Sequence, residues 1–207
     1  MNSNYIFNEV EKILLESNKP SVDIKRLIKE KKFNIEPFNK IKNLENIDQN
    51  KKYHPEGNVL NHILLVVDEA SKNKVYSKDK RAFMWGALLH DIGKLTTTKI
   101  RKGRITSYDH DIEGENISYK FLDKVTEDEN LKRKVSKLVR YHMQPLFFDK
   151  NLPFFDEKLM LKEVDFEEVA LLSMCDRLGR GDITKENIEI ETERISKFKE
   201  YCKHKVS

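Results

Sequence analysis

A histidine followed directly by an aspartate closes an apolar run in Ala87-Leu88-Leu89-His90-Asp91-Ile92-Gly93-Lys94. Both side chains are ligands for first-row divalent metals. An ionised aspartate at the end of a buried helix is costly, because burial and the negative helix C-terminus both oppose its charge, and a divalent cation offsets both penalties. Four of the other five histidines, His54, His62, His110 and His142, lie in the surrounding segment, and Asp176 ends a second apolar run. His62, His90, Asp91, His110, His142 and Asp176 together offer four imidazoles and two carboxylates. That donor set suits Fe, Mn, Ni, Co or Zn, with Mg as a further option, better than a calcium or thiolate zinc site. The chemistry expected is phosphoester hydrolysis by metal-bound hydroxide, since the ion acidifies its water and polarises the phosphoryl group. With two ions, Asp91 would bridge them.

Taken one at a time, these residues have plainer readings. His62 sits on an apolar helical face, where a hydrogen-bonded core imidazole is the commoner case. His90 can bond a carbonyl while Asp91 caps a turn, His110 can lie on the surface of a first helical turn, and Arg140 and His142 can serve a helix C-terminus. The set, rather than any member, carries the metal reading.

The elements that must position the set read as helices. Ile6, Val10, Ile13 and Leu14 mark one over residues 5–17, ended by Pro20-Ser21. Ser21 is a cap for a second, with Val22, Ile24, Leu27 and Ile28, and a short third follows Pro37. A helix over 59–70 carries His62. Asp79 opens a central helix, apolar nearly all round, that Gly93 is expected to terminate as its C′ residue. Residues 100–108 read as an exposed basic loop or short hairpin. Asp109 is expected to cap a helix over 112–125, and another runs over 129–141. Residues 143–163, with Pro145, Pro153 and four phenylalanines, read as an irregular cover over the core or a lid over the site. Asp165 caps a helix leading to Asp176, and Thr184 opens the last one.

Composition agrees. Only 7 glycines and 5 prolines in 207 residues argue against a turn-rich β fold, and Lys, Glu, Leu and Ile favour helices. The net charge of +4 is a weak pointer to nucleic acid. Cys175 and Cys202 form no framework, which fits a reducing, cytoplasmic setting. No signal peptide is evident, and no apolar run approaches the roughly 20 residues of a membrane span.

The order of His62, His90-Asp91 and Asp176 resembles the HD-domain superfamily of metal-dependent phosphohydrolases. A narrower resemblance covers about residues 36–182. Tyr53-His54-Pro55-Glu56-Gly57-Asn58-Val59 with Asn61-His62, Leu88 to Lys94, Thr96-Thr97-Thr98, Gly103-Arg104-Ile105-Thr106-Ser107-Tyr108, Leu138-Val139-Arg140-Tyr141-His142 and Asp176-Arg177-Leu178-Gly179-Arg180 are similar to blocks of the HD domain attached to bacterial CCA-adding tRNA nucleotidyltransferases. The resemblance implies an all-α HD-domain helical bundle with one or two metal ions, and phosphatase, 2′-nucleotidase and 2′,3′-cyclic phosphodiesterase activities. It places His62, His90, Asp91 and Asp176 as core ligands, with His110 and His142 at a second metal position. Lys94 becomes a catalytic candidate and a phosphate contact. Arg140, Arg177 and Arg180 become phosphate contacts or ligand-orienting ion pairs. Two departures stand out. Asp109-His110-Asp111 occupies the place of a usual Gly-His-Glu, and there is no Gly-Ser pair followed by an Asp-x-Asp motif, so a free-standing domain without CCA addition is expected.

The expected organisation is a helical N-terminal extension over 1–50, an HD domain over 51–183 and a C-terminal helix of the same domain over 184–207. The expected function is hydrolysis of nucleotide or RNA-end phosphomonoesters and 2′,3′-cyclic phosphodiesters, with no membrane partner; the oligomeric state is not readable. Competing expectations are hydrolysis of a dinucleoside polyphosphate or nucleoside triphosphate, and an RNA- or nucleotide-binding module without turnover. No Gly-Tyr-Pro block follows His110, which sets cyclic-dinucleotide cleavage aside.

Overall fold

The computed structural model describes residues 2–181 and 183–206. α1 (Ser3–Glu16) is capped by the Asn2 side chain and buries Ile6, Phe7, Val10 and Leu14. Pro20 opens α2 (Pro20–Lys29) rather than ending anything, because the first helical position needs no N–H. Ser21 therefore lies inside the first turn and bonds Asp68 through hydroxyl and amide instead of capping. α3 (Asn39–Asn43) is short. α4 (Val59–Asn73), capped by Asn58, turns Val59, His62, Ile63, Val66, Val67 and Ala70 inward. α5 (Lys80–Leu89), capped by Asp79, buries every residue from Ala82 to Leu89. A turn then leads to α6 (Lys94–Thr97).

The basic stretch is a hairpin, with β1 (Lys99–Arg101) antiparallel to β2 (Arg104–Thr106) and Ile100 opposite Ile105. Lys102 and Gly103 both have positive φ, as a two-residue hairpin turn requires. α7 (His110–Asp123), α8 (Glu129–Tyr141), α9 (Gln144–Asp149), α10 (Glu157–Glu163), α11 (Phe166–Leu178) and α12 (Lys185–Val206) complete the chain. The fold is all-α; among the described residues the two short strands are its only sheet.

α4, α5, α8 and α11 pack on one another at the centre. α7 lies along α8, α12 along α11, and α1 and α2 cover α5 and α4. The core is continuous, from Ile6 in α1 through Trp85 to Phe198 in α12, and Phe7 stacks on Trp85 at 4.9 Å. Each such side chain contributes on the order of 1.5–3 kcal/mol on burial. No helix among the described residues is long and apolar enough to cross a membrane, and both cysteines are free and buried.

Three further expectations need correction. Residues 143–163 are only partly irregular: Pro145 sits in the first turn of α9 and Asp156 caps α10, while Pro153 lies in the turn between the two helices. Asp109 is not a side-chain cap; it adopts a left-handed φ of 62°, and α7 starts at His110. Gly93 has a φ of −64°, so no left-handed conformation demands glycine there. A Cβ at residue 93 would instead lie 2.0 Å from the His110 carbonyl oxygen, which makes Gly93 the place where the turn after α5 touches the start of α7.

Candidate metal centre

Five helix ends converge. His62 projects from the first turn of α4. His90 and Asp91 occupy the turn after α5, His110 is the first residue of α7, His142 follows α8, and Asp176 lies in the last turn of α11. Two glycines allow the approach. Gly93 admits α7, and Gly179 admits the Val66 backbone of α4, whose Cα would be 2.6 Å from an added Cβ. His62, His90, Asp91, His110, His142 and Asp176 are all buried.

The donor atoms fall into two sets around one carboxylate. In the first, His62 Nε2 lies 2.9 Å from Asp176 Oδ1 and 3.3 Å from His90 Nε2. Asp91 Oδ2 lies 3.4 Å from His90 Nε2 and 3.7 Å from His62 Nε2, and His90 Nε2 is 4.0 Å from Asp176 Oδ1. Ligands bonded to one ion at about 2.1 Å stand at most about 4.2 Å apart, so these separations fit a shared ion. In the second set, the other oxygen, Asp91 Oδ1, lies 3.3 Å from His110 Nε2 and 4.0 Å from His142 Nε2. The residues thus fit one or two divalent ions, with Asp91 common to both.

The imidazoles are aimed. Nδ1 of His90, His110 and His142 bonds the backbone carbonyl three residues earlier, Ala87 at 2.9 Å, Ser107 at 2.8 Å and Val139 at 2.6 Å. Nδ1–H donating to a carbonyl leaves the Nε2 lone pair for a metal. His62 is oriented differently. Glu56 Oε1 stands 2.9 Å from Nδ1 of both His54 and His62, at an angle to His62 outside hydrogen-bond geometry. His54, Glu56 and His62 form a third cluster of possible ligands. Because His62 turns Nε2 to the first set, Glu56 is better placed as its orienting carboxylate.

Burial acts against charge throughout, and the neighbours decide the outcome. Burial would raise the Asp91 carboxyl, but the charges of Lys94 and His90 hold it well below the usual range. Asp176 behaves alike, held down by the His62 hydrogen bond and the Arg180 charge. Burial pushes His110 down to about 3 and lowers His142. His62 goes the other way: burial lowers it, yet Asp176 and Glu56 together raise it.

Asp91, His110, His142 and Asp176 line a cleft of about 520 Å³, with Lys94, Arg177 and Arg180 among its walls. The Lys94 amine donates to Asp91 Oδ2 at 2.7 Å and Gln49 Oε1 at 2.8 Å. Arg177 pairs with Glu191 at 2.6 Å, while the buried Nε of Arg180 has no hydrogen-bond partner among the described residues. Arg140 stands apart: it pairs with Asp111 at 2.6 Å and lines a neighbouring cavity. Sequence reasoning missed Gln49, Glu56, Lys150 and Arg194 as cleft or orienting residues. Glu56 stands inside the block Tyr53 to Val59 without a role of its own, and nothing in the sequence links Gln49 or Arg194 to the site.

Compared with known proteins, the chain matches the family model described as HD domain over residues 57–181, more than half its length. No curated protein matches it. The matched segment begins just after Glu56 and holds all six buried ligand candidates, from His62 to Asp176.

Proposed function

The chain belongs to the HD-domain family, and from that premise we propose that it is a divalent-metal-dependent phosphohydrolase acting on nucleotide or RNA-end phosphomonoesters and 2′,3′-cyclic phosphodiesters. One observation carries the reading: the two oxygens of Asp91 face different histidine pairs inside a cleft lined by cations. His62, His90, Asp91 and Asp176 would hold one ion, and Asp91, His110 and His142 a second. The ion, of the Fe, Mn, Ni, Co or Zn type, supplies Lewis acidity and an acidified water. Lys94 balances the Asp91 carboxylate and contacts substrate phosphate, and Arg177 and Arg180 orient the phosphoryl group and offset its charge. The choice of nucleotides and RNA ends rests on the sequence blocks similar to tRNA nucleotidyltransferase HD domains. We assign the catalytic unit to residues 51–183, with 1–50 and 184–207 as its helical cover.

The test is hydrolysis of 2′,3′-cyclic nucleotides, 2′- and 3′-nucleotides and dinucleoside polyphosphates by metal-loaded and chelator-treated protein. Metal-dependent turnover that favours the first two classes is expected. The exposed hairpin, with Lys99, Arg101, Lys102 and Arg104 beside the cleft residue Ile105, favours one second reading, an RNA-binding module. Salt-steep RNA binding with no turnover under any metal would replace the first reading by the second.

A further inference from the structure

A second cavity, of about 850 Å³, adjoins the metal centre and shares three wall residues with its cleft, Ser107, His110 and Met143. Its character is different. Tyr108, Phe147 and Phe154 present aromatic surface, and Arg140 sets a guanidinium at its side. Phe154 is 63% exposed and Tyr108 64%, and both lie on the walls of this one cavity. They are nevertheless held. Phe147 and Phe154 meet edge to face at 5.6 Å, and the Arg101 guanidinium covers the Tyr108 ring at 4.8 Å. Fully buried Gln144 fixes the loop that carries Phe154, donating to the Phe154 carbonyl at 3.2 Å and accepting from the Asp156 amide at 2.8 Å. Gln144 therefore fixes the backbone from Phe154 to the Asp156 cap of α10.

We propose that this aromatic cavity is the base-binding subsite of the substrate: with the phosphate at the metal centre, a nucleobase stacks against Phe147 and Phe154. This rests on the phosphohydrolase reading and names the part of the substrate that reading leaves open. A phosphate ester seated beside His110 must direct its organic group away from the buried ligands, and the cavity beyond His110 and Met143 receives it. Every nucleobase offers a flat π face, and rigid aromatic rings take such a face with little regard to its hydrogen-bonding edge. The subsite thus selects nucleotides over sugar phosphates while discriminating weakly among bases.

Adenosine 5′-monophosphate and ribose 5-phosphate differ only in the base and test this directly. Both are titrated calorimetrically into metal-loaded wild type and into Phe154→Ala, whose exposed side chain is dispensable for folding, and both are assayed for phosphate release. Wild type should bind the nucleotide about tenfold or more tighter than the sugar phosphate, as one base stack implies. Phe154→Ala should remove most of that gap and leave ribose 5-phosphate binding unchanged. Equal affinities for the two ligands in wild type, or a Phe154→Ala loss of equal size for both, would overturn the subsite. Base-dependent binding with no phosphate release from these ligands and no turnover of 2′,3′-cyclic, 2′- or 3′-nucleotides would leave the subsite standing and refute hydrolysis. Base-independent hydrolysis would do the reverse.

Discussion

At the scale of single residues, the central feature is how one carboxylate is divided. Asp91 is buried, and its two oxygens serve separate pairs of imidazoles. His62 adds a proton to the account. Its raised pKa means that its contribution to the metal-free fold is fully present below the ordinary histidine value, roughly 6.5, and is lost as pH rises through the elevated value. His110, lowered to about 3 by burial, has the opposite sign: the unfolded chain takes up its proton first, so stability falls as pH drops from roughly 6.5 toward that value. A metal ligand must be unprotonated, so the ion displaces the proton of His62. Metal uptake near neutral pH should therefore release protons, seen as a binding enthalpy that changes with the ionisation heat of the buffer, and affinity should rise with pH. Glu56→Gln should weaken metal affinity by about 10–100-fold, the usual effect of losing an orienting carboxylate, as measured by competition with a chromophoric chelator.

At the scale of elements, positioning depends on close backbone contact more than on strained conformation. Gly93→Ala fits its backbone angle but drives a methyl group into the His110 carbonyl, so α7 must retreat. The expected cost is about 1–3 kcal/mol, read as a Tm lower by about 2–4 °C per kcal/mol in thermal unfolding, with His110 displaced from the second metal position. This contact also shows where sequence reading stops. The central helices were legible because α4 and α5 bury long, patterned apolar faces, and the ligand set was legible because Asp91 and Asp176 are carboxylates in apolar surroundings. The role of Gly93 was misassigned because a helix-stopping glycine and a close-contact glycine have the same local sequence. α9 and α10 escaped because they are short and owe their existence to Pro145, the Asp156 cap and packing on α11 and α12. The convergence of Gln49, from a loop, with Lys94 is a long-range event that no local pattern encodes.

At the scale of the whole molecule, the ligands come from α4, α5, α7, α8 and α11, or from the turns at their ends, so binding an ion ties the bundle together. Asp91 and Asp176 both face His62, and an ion held among them would add its binding free energy to that of the fold. An ion present at 100 times its dissociation constant stabilises the native state by about 2.7 kcal/mol. For a chain of this size that raises Tm by about 5–10 °C, a shift that differential scanning calorimetry should show and a chelator should reverse. The assignment of Asp91 as the shared ligand is tested most directly by metal content together with 2′,3′-cyclic nucleotide hydrolysis for wild type and Asp91→Ala. Wild type should hold one or two divalent ions per chain and hydrolyse the substrate, and the variant should lose both. An Asp91→Ala protein that keeps its metal and its full rate would contradict it.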